Sequence, residues 1–67
     1  MAFDQTTAHR AAQEMKRSGG DFISRLGATF MHADLKNQRR MYEAFQPEFD
    51  QYYEYYLARE QRDAQHG

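Results

Sequence analysis

Three histidines (His9, His32, His66) and two serines (Ser18, Ser24) are the residues from which metal or nucleophilic chemistry would have to be built, because the chain has no cysteine. A metal site needs ligands that converge, usually from a closely spaced pair, and these histidines lie on three different segments with no H-x-x-x-H pair. Neither serine sits in the strand–serine–helix elbow that activates a hydroxyl, and thiol chemistry is impossible. General acid and base work requires carboxylates held in a pocket, whereas the ten Asp and Glu side chains fall mostly on wet helix faces. Gly19-Gly20 has neither the Walker nor the dinucleotide spacing, so no phosphate loop is present. The expectation is a chain with no catalytic residue, no metal and no cofactor, hence not an enzyme.

Binding chemistry is better represented. Lys36-Asn37-Gln38-Arg39-Arg40 holds side chains of the kind that grip phosphates and read base edges, and it opens a short helix that follows another helix. Gln38 falls on the inward side with Leu35 and Tyr42, which leaves Lys36, Arg39 and Arg40 outward. Formal charge is uneven: residues 1–40 carry a balance of +3 and residues 41–67 one of −4. The acidic fourth helix is expected to repel DNA at close range, and its charge is too small for good nucleic-acid mimicry. Five Tyr and five Phe supply large buried areas to a core with few aliphatic residues. Tyr55 and Met31 leave the apolar stripes, and Tyr, Met and Arg are enriched where proteins meet. The candidate binding residues are therefore Met31, Lys36, Arg39, Arg40 and Tyr55.

These side chains must be positioned by a single small domain. A chain of 67 residues buries only about 60% of the surface its unfolded form exposes, so its stability margin is thin and help from a partner or from further copies is expected. The absence of cysteine fits a reducing compartment, and Met1-Ala2-Phe3-Asp4 lacks the features of a secretion signal. No apolar run approaches the ~18 residues that span a bilayer. The expected location is the cytoplasm.

Residue types and breaks point to helix throughout. There is one Pro, no Val, and Ile23 is the only aliphatic β-branched residue. Between Thr6 and Arg17, Ala8, Ala11, Ala12 and Met15 share one side, a helical spacing with little apolar volume. Such a helix is expected to dock weakly and to be frayed or mobile. A second helix opens at Ser18 or Asp21, where Ser-x-x-Asp is a capping-box pattern. Phe22, Ile23, Leu26, Phe30 and Ala33 form its core face, Met31 projects away, and Gly27 suggests a close helix contact. Asp21 and Arg25 have the spacing of an ion pair across one turn. Asp34 suits the cap of a third helix, Leu35 to Phe45, with Leu35, Gln38, Met41, Tyr42 and Phe45 on one side. Pro47 fits the first turn of a fourth, with Phe49, Tyr52, Tyr53, Tyr56 and Leu57 as its stripe and Arg59 and Arg62 towards its negative end.

The fold class expected is all-α: a compact bundle of three short helices over residues 18–63, a loosely attached N-terminal helix within residues 1–17, and a frayed tail at 64–67. The run Ser18-Gly19-Gly20-Asp21-Phe22-Ile23, with Leu26, Phe30, Ala33-Asp34, Asn37, Ala44-Phe45, Pro47, Phe49 and Tyr52, resembles small uncharacterised helical proteins of tailed bacteriophages across residues 18–53. That resemblance brings no catalytic residues. It implies a small protein-binding module, in the host cytoplasm, that inhibits or modulates a larger host or phage protein by occupying its surface. The alternatives are a nucleic-acid-binding accessory protein using the Lys36–Arg40 helix, and a homo-oligomeric structural protein.

Overall fold

The computed structural model describes the backbone of residues 3–66 and the side chains of residues 3–64. Four helices follow in order: α1 (Gln5–Ser18), α2 (Asp21–His32), α3 (Leu35–Ala44) and α4 (Gln46–His66). The backbone of α4 is helical through His66, and Gly67, the last residue of the expected frayed tail, lies outside the described residues. Among the described residues, no helix is long and apolar enough to cross a membrane.

Local chemistry sets most of the breaks. The Asp34 carboxylate accepts from the Asn37 amide at 3.0 Å, satisfying a donor that the first turn of α3 would otherwise leave free. Pro47 lies in the first turn of α4, one residue after its start, where a missing N–H costs nothing. The capping box at Ser18 does not form. Because α1 runs on through Ser18, that hydroxyl donates back along its own helix to Glu14 at 2.7 Å, and the cap position of α2 falls to Gly20, which has no side chain. Asp21 instead holds Arg25 at 3.1 Å, an exposed pair one turn apart.

The first helix is the centre of the molecule rather than a loose arm. Ala8, Ala11, Ala12 and Met15 are completely buried, and α1 packs against both α2 and α4, which make no backbone approach to each other. α2 runs antiparallel to α1, with the Ser24 hydroxyl donating to the Lys16 carbonyl at 3.2 Å and Gly27 facing Ala12. α4 runs parallel to α1, so that Arg10 meets Tyr56 and Glu14 meets Arg59. Small side chains explain the correction. They bury little surface individually, but they let helix axes come close, so that many backbone and Cβ atoms gain dispersion contacts together.

At the N-terminal end of α1 an aromatic layer closes the core. The Phe30 and Phe49 rings lie 5.0 Å apart, Tyr42 and Phe49 5.6 Å, and Phe3 and Tyr42 5.4 Å. Gln38 is buried among them, as its spacing requires. Its amide donates to the Phe30 carbonyl at 3.0 Å and its oxygen accepts from Gln5 at 3.2 Å, and among the described residues no buried side-chain polar atom is stranded.

Three residues assigned to apolar stripes are instead largely exposed: Phe22, Leu35 and Leu57. The seat of α2 on α1 is centred on Ser24 and Gly27, which swings Phe22 to the open edge of the helix. Leu35 is the first residue of α3, beyond the reach of α2. Leu57 follows Tyr56 around α4, past the arc that α1 covers.

Candidate functional site

The five candidate binding residues occupy three separate places. Lys36 and Arg39 are exposed beside Phe3 and Leu35, with the Arg39 guanidinium 6.0 Å from the Phe3 ring centre. Arg40, one residue on, turns to the other side of α3, toward α2. Met31 does not project away from the core. It is half-buried against it and sits beside Lys16 and Arg17 of α1, because α1 covers the side of α2 on which Gly27 lies. Tyr55 is 46% exposed, its hydroxyl accepting from Gln51 at 2.7 Å and its ring edge-on to Tyr52 at 5.1 Å. It borders a shallow hollow with Arg17, Ser18 and Arg62.

The one buried charge in the described core is Glu14, only 3% exposed. Sequence spacing offers no signal for it, since its partners are Ser18 on its own helix and Arg59, 45 positions away. The Arg59 Nε donates to one carboxylate oxygen at 3.0 Å and the Ser18 hydroxyl to the other at 2.7 Å. Arg59 also approaches Asp63 at 3.8 Å and lies 5.7 Å from the Tyr56 ring centre, while Arg10 sits at the same distance from that ring. Burial pushes the Glu14 pKa up, but the Ser18 and Arg59 hydrogen bonds and the positive charges of Arg59 and Arg17 outweigh it, and the carboxyl ends below its ordinary 4.5.

A group whose folded pKa is depressed contributes its stability above the unfolded value and loses it as pH falls through the folded value. The Glu14 contribution is therefore whole at pH 7 and disappears on the acid side of 4.5. Glu14→Gln keeps the shape and removes the charge, and it is expected to cost about 1.5–3 kcal/mol at neutral pH, the range for a hydrogen bond to a charged group. Urea melts of the two proteins should converge as pH is lowered through the Glu14 titration. A gap that stays constant down to strong acid would show that the charge is irrelevant.

Across α2 from α1, the rotation that exposes Phe22 opens an apolar groove between α2 and α3. Ala28, Ala33, Met41, Ala44 and Phe45 line it, with His32, Asn37 and Arg40 on its polar rim. Phe22 is 62% exposed, and its ring meets Phe45 edge-on at 6.0 Å. The sequence reading placed Phe22, Met41 and Phe45 in the core and so missed this surface. Among the described residues, no group of three or more His, Asp or Glu side chains is placed to hold a metal ion. The arrangement presents an apolar groove with Arg40 on its rim, and exposed cations on α1 and α3. No family model matches the chain, and no curated protein or solved structure matches it either.

Proposed function

We propose that this protein is a small phage-type protein-binding module that inhibits or modulates a larger host or phage protein by occupying a surface on it. The observation that carries the reading is the exposed Phe22 ring, edge-on to Phe45, which itself lines the α2–α3 groove. A large exposed apolar side chain against a second aromatic ring, beside a groove with an arginine on its rim, has the composition of the anchors that dominate protein interfaces. The resemblance of residues 18–53 to small phage proteins supports the same reading, since Phe22 and the groove-lining residues Ala33, Ala44 and Phe45 lie within it. Of the candidate residues, Arg40 borders this groove, while Met31, Lys36, Arg39 and Tyr55 lie elsewhere.

Affinity capture from the native host should return the same partner repeatedly with the wild-type chain and lose it with Phe22→Asp. That substitution falls on an exposed side chain and should leave the helical melt unchanged. Recovery of the bait alone, or a partner retained equally by Phe22→Asp, would refute the reading. Light scattering separates the competing occupant, a second copy of this chain.

A further inference from the structure

The outward side of α1 carries a second surface, on the opposite flank of α2 from the groove. Arg10, Gln13, Lys16 and Arg17 are exposed there, spaced three, six and seven residues from Arg10, so they fall along one ridge. No carboxylate shares that ridge. The only acid within α1, Glu14, is turned inward and its charge is cancelled by Arg59. Arg62 of α4 joins the end of the ridge across the seam, where it borders the same hollow as Arg17. Asp63, on the same turn of α4, is engaged by Arg59. Among the described residues, Arg10, Lys16, Arg17 and Arg62 have no carboxylate within 4.0 Å.

Lys16 and Arg17 suit the negative end of the α1 dipole and Arg62 that of α4, but dipoles do not account for Arg10. The Arg10 guanidinium is held over the Tyr56 ring, which fixes its position without neutralising it. From Arg10 to Arg17 the ridge rises about 10.5 Å, about three phosphate steps of one strand measured along a duplex axis at ~3.4 Å each. The acids of α4 do not forbid this. Glu60 and Asp63 lie near Arg59, but Arg10, Lys16, Arg17, Arg59 and Arg62 still outnumber Glu14, Glu60 and Asp63 by two. Asp50 and Glu54 are exposed and fall off the Phe49–Tyr53–Tyr56 side of α4, and the molecule is 19 Å across at its thinnest. The Debye length at physiological salt is ~8 Å, so repulsion from that face is largely screened at the ridge. We propose that the α1 ridge, with Arg62, binds the phosphodiester backbone of a nucleic acid.

Four phosphate contacts predict a log–log salt slope of about −3.6 for duplex and about −2.8 for a single strand, a loss of roughly 50- to 150-fold between 50 and 200 mM salt. The test is fluorescence anisotropy of labelled oligonucleotides of mixed sequence, as single-stranded DNA, single-stranded RNA and duplex, with the full chain. The expected result is binding near 50 mM salt to at least one of these, with that slope. The triple variant R10Q/K16Q/R17Q should flatten the slope by about three phosphates, while R39Q/R40Q leaves it unchanged. If the triple variant lost its cooperative melt, K16Q/R62Q carries the same test, since neither side chain is in a described ion pair or hydrogen bond. Three results would each overturn the proposal: no binding to any oligonucleotide, loss of binding in R39Q/R40Q alone, or equal binding of poly-L-glutamate, which would make the ridge a surface for acidic peptides.

Discussion

A chain lacking residues 1–18 is expected not to fold. Four of the seven core hydrophobic residues, Ala8, Ala11, Ala12 and Met15, belong to α1, and α1 is the element that both α2 and α4 pack upon. Without it, α2 and α4 have no backbone approach to each other, and Phe30 and Phe49 lose the surface that completes their burial. Each fully buried side chain of that size contributes about 1.5–3 kcal/mol, while a whole domain is stable by only about 5–15 kcal/mol. The loss is thus comparable to the total. Isolated helices of 10 and 12 residues, the lengths of α3 and α2, are marginal in water without packing. Circular dichroism of residues 19–67 should show strongly reduced helicity, what remains belonging to the 21-residue α4, with no cooperative melt. A helical spectrum with a sharp transition would restore the picture of an autonomous three-helix unit.

The second large effect is expected at the α1–α2 contact. A Cβ on Gly27 would lie 2.6 Å from the Ala12 carbonyl oxygen, 3.1 Å from the Met15 Cβ and 3.2 Å from the Lys16 amide nitrogen. Two of those three atoms are backbone, and they cannot rotate aside as the end of a flexible side chain would. Gly27→Leu must therefore separate the two helices, and its cost belongs at the top of the roughly 1–3 kcal/mol range for overpacking, after the ~1 kcal/mol that leaving glycine gains in a helix. In a domain of this size about 3 kcal/mol lowers Tm by roughly 12–24 °C. Gly20→Ala is the control, because nothing lies within 4 Å of a Cβ placed there. Equal melting temperatures for the two variants would mean that the close approach at Gly27 does not matter.

Properties that depend on neighbours along the chain were legible from residue order alone. Helices, the Asp34 cap, the Asp21–Arg25 pair and the inward turn of Gln38 are all set within about one or two turns, where periodicity and capping act. Gly27 was legible for a related reason: a glycine that weakens a helix suggests that something sits against it. The candidate surfaces were legible only in part, because Lys36, Arg39 and Arg40 can be seen to point outward while their division between two sides of α3 cannot.

The residue types and their spacing determined that this protein is helical, that Asp34 starts α3, and that it lacks the residues for thiol chemistry. Only the tertiary structure decided that α1 lies at the centre, that Glu14 is buried against Arg59, that Phe22 is exposed at a groove and that Arg10, Lys16, Arg17 and Arg62 share one open ridge. Each of those outcomes depends on which part of a helix is covered by another element far along the chain. Amphipathic periodicity specifies that a face will be covered, but small residues such as alanine carry too little hydrophobic contrast to say by what, or how closely.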